Sequence, residues 1–259
     1  MFIDSHCHID FPDLAAHGDA LFERMVAAKV THAMCIGVNF ENIDRVLRIA
    51  TQRANIYASV GVHPENSEGE EASVERLLAM ANNPKVVAIG ETGLDYYWHK
   101  DKPEWQRERF RTHIRAARQC NKPLVIHTRD AAEDTIRLMR EEGADKVCGV
   151  MHCFTETQQV ADAAMALGFY VSFSGIVTFK NAIQIKDVAR SIPLERILIE
   201  TDSPYLAPVP YRGKTNEPSY VPHVAAEIAR LRGIDVEEVA AASTKNFFDL
   251  FADARPGSV

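Results

Sequence analysis

Apolar residues gather into eight short runs, at residues 2–5, 32–36, 56–60, 86–89, 124–126, 148–151, 170–173 and 197–199. Most are nearly continuous rather than alternating, the pattern of parallel strands covered on both faces. Between the runs, apolar positions recur at helical spacing, as in Leu21, Phe22, Met25 and Val26, then Ile43, Val46, Leu47 and Ala50, then Val74, Leu77 and Leu78. Pro103 is placed to open a helix carrying Trp105, Phe110 and Ile114. Asp130 is placed to cap the next helix and Gly143 to end it. Thr155 and Gln158 have the spacing of a capping box, with Gly168 closing that helix. A long loop with Pro204, Pro208, Pro210, Gly213 and Pro218 follows the eighth run. Two further helical patterns then cover 224–231 and 236–251, where Phe247, Phe248 and Phe251 are expected to pack the last helix onto the body.

Strict alternation of strand and helix predicts one parallel sheet in an α/β fold. Eight strands suggest a single (β/α)8 TIM-type barrel with an extra C-terminal helix, one domain over residues 1–259; an open doubly wound sheet is the rival. The 259 residues are close to the roughly 250 typical of such a barrel. An open sheet feeds its ligand crevice from two or three strands at a switch point. Here the polar residues that could bind a ligand come from strands one, four, five, six and eight, and only closure gathers those ends.

The 46% hydrophobic composition is ample for a core and argues against disorder. A net charge of −7 does not suggest tight nonspecific DNA binding, though bound divalent cations would reverse the local field at a nuclease site. The five cysteines are odd in number and lack a C-x-x-C pair, so they read as small core residues of a reducing compartment. The N-terminal Met-Phe-Ile-Asp-Ser-His starts a strand at once, so no signal peptide and a cytoplasmic location are expected. No apolar stretch approaches the roughly 18 to 20 residues of a membrane span. Without a clear exposed apolar seam, a monomer is expected.

Six residues of metal-binding types stand where strands give way to polar residues: His6, His8, Glu91, His127, His152 and Asp202. His6 and His8 flank Cys7, and residues two apart on a strand point the same way. Glu91 lies in Gly-Glu-Thr-Gly-Leu-Asp, where Gly90 and Gly93 permit a tight turn or a close backbone approach. A Glu entering a barrel pocket is costly unless its charge is compensated. His127 and His152 end successive strands at corresponding positions. Singly, each has an ordinary structural explanation: a hydrogen-bonded core histidine, a loop glutamate, or a turn-capping aspartate at Asp202. Together they point to a metal site. Six protein ligands are many for one catalytic ion, and two ions roughly 3.5–4 Å apart fit better. His6, His8 and Asp202 are expected to hold one ion, His127 and His152 the other, with Glu91 bridging. Mixed imidazole and carboxylate donors suit Zn²⁺, Mn²⁺, Fe²⁺ or Mg²⁺.

These residues carry a resemblance. Asp4-Ser-His-Cys-His8, Gly61-Val-His-Pro64, Ile89-Gly-Glu-Thr-Gly-Leu-Asp95, Pro123-Leu-Val-Ile-His-Thr-Arg-Asp130, Met151-His-Cys-Phe154, Glu200-Thr-Asp-Ser-Pro-Tyr205 and Arg212-Gly-Lys-Thr-Asn-Glu-Pro218 together resemble the TatD family of metal-dependent deoxyribonucleases, within the amidohydrolase superfamily. The resemblance runs almost the length of the chain. It implies the same six ligands and Mg²⁺-supported hydrolysis of DNA, typically from the 3′ end. DNA, as single strands or ends, is then the expected substrate.

Such ions would lower the pKa of a water toward neutrality. Asp202 and Glu91 are the expected catalytic carboxylates, Asp202 accepting the proton or orienting the attacking oxygen. No G-x-S-x-G elbow or P-loop is present. His63, Arg129, Lys214 and Asn216 are candidate substrate contacts, and Tyr96, Tyr97 and Trp98 candidate stacking surfaces for bases. An amidohydrolase-type enzyme acting on an amide, lactone or aminoacyl ester is the alternative, since the same ions polarise a carbonyl. A binding protein with a vestigial site is disfavoured by the complete ligand set.

Overall fold

The computed structural model describes residues 1–254. Eight parallel strands pair in sequence order: β1 (Phe2–Cys7), β2 (Val30–Cys35), β3 (Ile56–Val60), β4 (Val86–Asp95), β5 (Leu124–Arg129), β6 (Gly149–Met151), β7 (Tyr170–Phe173) and β8 (Ile197–Ile199). The ring closes just past β8. The Asp202 N–H donates to His6 O at 2.9 Å and the His8 N–H to Ser203 O at 2.8 Å. Asp4 reinforces the seam, its Oδ1 accepting from Thr201 N–H at 2.9 Å and its Oδ2 from the Thr201 hydroxyl at 2.5 Å. The fold is therefore the expected TIM-type (β/α)8 barrel, not a doubly wound open sheet.

Helices α1 (Pro12–Ala15), α2 (Asp19–Ala27), α3 (Ile43–Gln52), α4 (Val74–Ala81), α5 (Glu104–Cys120), α6 (Ala132–Glu141), α7 (Gln158–Ala166) and α8 (Ile183–Ser191) lie between the strands, and α9 (Val221–Arg232) and α10 (Val236–Leu250) follow β8. Strand residues split between two cores because successive side chains face opposite sides of the sheet. Cys35, Ala58, Ile126 and Phe173 face the helices, meeting Ile43, Phe110 and Val224. Ile3, Tyr57, Val87, Val125, Val150 and Leu198, early in their strands, join Phe247 and Phe251 in the second core, with Phe248 packed against it. The C-terminal helix thus packs beneath the start of the strands, as its phenylalanines suggest. Among the described residues no helix is long and apolar enough to cross a membrane. Cys7 and Cys35 are buried, and all five thiols are free.

Several boundaries differ from expectation. β1, β4 and β5 run further, so His6, Glu91 and His127 lie within strands rather than beyond their ends. Polar side chains mark the approach to the pocket, but the backbone ladder continues through them. β4 gains most, and its glycines explain why. A Cβ at Gly93 would lie 2.0 Å from His127 O, and one at Gly90 would lie 2.5 Å from Val125 O. Both have positive φ, 134° and 146°. They serve a close approach of β4 to β5, not a turn. The capping assignments at Asp130 and Thr155 do not hold. Ala131 stands at the N-cap of α6 without a side-chain bond, and Thr157 accepts the Val160 N–H at the start of α7. Thr157 is the later of two threonines, and local spacing does not choose between them.

One clamp reaches from α5 to the loop after β3. Gln106 Nε2 donates to Pro64 O at 2.9 Å. Arg109 donates to His63 O at 2.9 Å and Asn66 O at 2.7 Å, and its guanidinium pairs with Glu71. His113 Nε2 accepts the Val62 N–H at 3.0 Å, while its Nδ1–H donates to Arg109 O at 2.8 Å. A neutral ring satisfies both contacts; protonation would set a second N–H against the Val62 donor.

Burial accordingly lowers the His113 pKa to about 4 from an ordinary 6.5. Between those values the unfolded chain binds a proton there that the folded chain refuses, so stability falls as pH falls through that window, by up to about 3 kcal/mol. In urea unfolding from pH 7 to pH 4, His113→Gln is expected to lose that part of the pH slope. An unaltered slope would show that His113 is not the neutral clamp described.

Candidate metal centre

The C-terminal ends of the strands surround a cavity of about 790 Å³, whose lining includes His8, Glu91, His127, His152 and Asp202. Glu91 occupies the middle of its floor. Its side chain is only 3% exposed, and its two oxygens face different partners. Oε2 lies 3.3 Å from His6 Nε2. His6 Nε2 is in turn 3.3 Å from His8 Nε2 and 3.6 Å from Asp202 Oδ1, and His8 Nε2 is 3.4 Å from Asp202 Oδ1. Oε1 lies 2.8 Å from His152 Nε2, 3.2 Å from His127 Nδ1 and 3.2 Å from His63 Nε2. The six sequence-predicted ligands therefore converge, and His63 joins them.

The first group has the spacing of a coordination shell. Donors about 2.1 Å from a common tetrahedral ion lie about 3.4 Å from one another. The second group has an orphan that argues the same way: His152 Nε2 is buried without a hydrogen-bond partner, although Glu91 Oε1 is 2.8 Å away. The donor set of imidazoles and carboxylates fits divalent cations such as Mg²⁺, Mn²⁺ or Zn²⁺.

Two further carboxylates orient the histidines. Asp95 Oδ2 is 3.0 Å from His127 Nε2 and turns Nδ1 toward Glu91. Glu200 Oε1 is 3.2 Å from His152 Nδ1 and also accepts the Cys153 N–H at 2.8 Å, which turns Nε2 inward. Carboxylate–histidine pairs of this kind set ring orientation and tautomer at metal sites. Both residues lie inside the sequence motifs, whose spacing assigns them no role. The signal for Asp95 was strand periodicity, since residues 91, 93 and 95 of β4 share a face.

Burial alone would raise the Glu91 and Asp202 carboxyls. His152, His63 and His6 outweigh it at Glu91 and hold that group well below the usual carboxylate range. At Asp202 a hydrogen bond with His8, with His6 and His152 nearby, outweighs burial and lowers the pKa. Burial opposes protonation of His152, but Glu91 and Glu200 pull its pKa well above the ordinary value. Four carboxylates crowded among these rings draw positive charge into the pocket, the demand that divalent ions meet.

The expected substrate contacts fare unevenly. His63 and Arg129 line the cavity. The Arg129 guanidinium sits 3.8 Å over the Tyr97 ring and 5.8 Å from that of Trp98. Trp98, 61% exposed, and Tyr205, 56% exposed, stand at the cavity edge. Tyr96 does not: it is buried, its hydroxyl donating to Asp134 at 2.6 Å. Asn216 is buried as well. Its amide donates to Thr201 O at 2.8 Å and Tyr205 O at 2.6 Å, and its Oδ1 accepts the Glu217 N–H, so it ties the loop on either side of Asp202 rather than facing the cavity. Lys214 is exposed on that loop, 5.8 Å from the Tyr211 ring, and is not part of the cavity lining. A polar residue in a long loop reads alike from sequence whether it faces a ligand or its own backbone.

A family model described as TatD related DNase matches residues 3–252. The chain is 45% identical over 252 residues to the Escherichia coli (strain K12) protein named Uncharacterized metal-dependent hydrolase YcfH, with 96% of this chain and 95% of that one covered. It is 35% identical over 240 residues to the Escherichia fergusonii protein named 3'-5' ssDNA/RNA exonuclease TatD, covering 90% and 92% respectively. The crystal structure of YJJV, a TatD homolog from Escherichia coli K12, superposes with a TM-score of 0.91 at 29% identity, over 97% of this chain and 98% of that one.

Glu91→Ala is expected to keep the far-UV circular dichroism of the wild type, because the side chain belongs to neither apolar core. It is expected to lose the rise in Tm that added Mn²⁺ produces in the wild type, a stabilisation of about 2.7 kcal/mol at a hundred times Kd. Glu200→Gln is expected to weaken metal binding about 10- to 100-fold in isothermal titration. An unfolded Glu91→Ala spectrum would assign that carboxylate to fold stability instead.

Proposed function

The chain belongs to the TatD-related DNase family and is a metal-dependent hydrolase, and from that premise we propose that it removes nucleotides from the 3′ end of single-stranded DNA by hydrolysing the terminal phosphodiester. The observation that carries this reading is the division of Glu91 between two sets of imidazoles, 3.3 Å from one at Oε2 and 2.8–3.2 Å from the other at Oε1, on the floor of an open cavity. In it, His6, His8 and Asp202 would hold one divalent ion and His127 and His152 a second, with Glu91 shared between the two groups. Mg²⁺, Mn²⁺ or Zn²⁺ bound there would supply Lewis acidity toward water and phosphoryl oxygens.

The protein's own groups do the rest. Asp202 is ionised and faces the cavity, so its carboxylate takes the proton of the attacking water. Asp95 and Glu200 keep the His127 and His152 rings fixed as charge redistributes. Arg129 offers guanidinium N–H groups to a phosphate, backed by the Tyr97 ring. Trp98 and Tyr205 present exposed faces on which bases of an unpaired strand stack. The end of a single strand reaches this floor without the unpairing a duplex would need. The name of the Escherichia fergusonii relative, a 3'-5' ssDNA/RNA exonuclease, supports the same polarity.

Metal-loaded protein incubated with 5′-labelled single-stranded DNA should give a descending ladder that chelator abolishes. Asp202→Asn should reduce kcat about 10²- to 10⁴-fold. No cleavage with Mg²⁺, Mn²⁺ or Zn²⁺, alongside turnover of a lactone, amide or aminoacyl ester, would replace the nuclease reading with the carbonyl-directed one.

A further inference from the structure

Three imidazole nitrogens surround Glu91 Oε1, and distance alone does not distinguish them: His152 Nε2 at 2.8 Å, His127 Nδ1 at 3.2 Å and His63 Nε2 at 3.2 Å. Their far sides do. A neutral imidazole carries one N–H and one lone pair, and the bond at one nitrogen dictates what the other offers. His127 and His152 each have a carboxylate at the outer nitrogen, Asp95 Oδ2 at 3.0 Å and Glu200 Oε1 at 3.2 Å. A carboxylate there demands N–H, so with an ion bound beside Glu91 both rings would turn a lone pair inward. His63 has the opposite partner. Its outer Nδ1 accepts the backbone N–H of Glu65 at 3.1 Å. A backbone amide only donates, so the Nδ1 lone pair is occupied and the ring N–H lies on Nε2, at the cavity wall 3.2 Å from Glu91 Oε1.

We infer that His63 is not a metal ligand but a catalytic hydrogen-bond donor, whose Nε2–H engages a phosphoryl oxygen of the substrate. The inference rests on the phosphodiesterase reading for its substrate, and on this ring's own contacts for its direction. An ion at Oε1 would then have three protein donors, Glu91, His127 and His152, which would leave coordination open for substrate, as a catalytic ion requires. His63 borders that open side. It is half-buried and lines the cavity. Its backbone is held fast, with its N–H on Val38 O at 2.9 Å and its O on Arg109 at 2.9 Å. A donor placed in advance by such bonds needs no reorganisation when charge develops on a phosphoryl oxygen, the condition under which a single donor matters most.

The test separates donor from ligand and both from the substrate assignment. In metal-loaded protein held at pH 8, long-range ¹⁵N–¹H correlation should show His63 protonated at Nε2 and bare at Nδ1. His63→Ala and His63→Gln, dialysed to equilibrium against Mn²⁺ or Zn²⁺, should retain the wild-type number of ions per chain. On single-stranded DNA, His63→Ala should lose about 10²-fold or more in kcat, and His63→Gln, whose amide restores an N–H near the same place, should recover part of it. Loss of one ion per chain in both variants, a bare Nε2 in the spectrum, or wild-type kcat in His63→Ala would overturn the inference. If wild-type protein cleaves no DNA, the phosphodiesterase reading fails, while the spectrum and the metal count still decide whether His63 is donor or ligand.

Discussion

A carboxylate almost sealed from water is stable only if something positive faces it. Glu91 meets that condition through rings from four strands or their following loops: His6 from β1, His63 after β3, His127 from β5 and His152 after β6. No shorter arc of the sheet brings those groups to one carboxylate. The electrostatic requirement of one side chain and the closure of the barrel are thus a single constraint. The buried acid needs the ring of strands, and the ring of strands gives the acid a function.

Closure itself depends on a small polar seam. β8 is only three residues long, and the chain meets β1 beyond its end through backbone bonds at His6, His8, Asp202 and Ser203. Asp4 adds its side chain to Thr201, and burial pushes its pKa up to about 8, so at neutral pH the seam carries little buried charge. His6 and Asp202 are therefore joined through main chain as well as across the cavity. Asn216 ties the backbone on both sides of Asp202, and Arg24 from α2 grips Glu217, the next residue, with bonds of 2.6–2.9 Å. The long loop after β8 is braced at the point where it must present a carboxylate.

On the other side of the cavity the bracing comes from a helix. Gln106, Arg109 and His113 of α5 are polar or charged yet buried, each bonded to the loop that carries His63. Burying such groups is tolerable only because each is fully engaged. The result is a loop whose backbone at Val62, His63, Pro64 and Asn66 is bonded to one helix.

How much of this was legible beforehand depends on the range of the physics involved. The parallel barrel, its C-terminal helix and the six residues His6, His8, Glu91, His127, His152 and Asp202 follow from periodicity and residue type, because strand alternation and donor chemistry are local properties written along the chain. The roles of Asp95, Glu200, Asn216 and His113 were not legible, nor was the direction in which His63 points its proton. Each depends on which backbone or side-chain group lies across a gap of many residues: Thr201 from Asn216, Val62 from His113, Glu200 from His152. The sequence by itself determined the barrel and the stock of metal-binding groups. Only the tertiary structure decided which nitrogen of each ring faces the cavity, because a tautomer is set by the partner behind the ring, and that partner is brought there by folding.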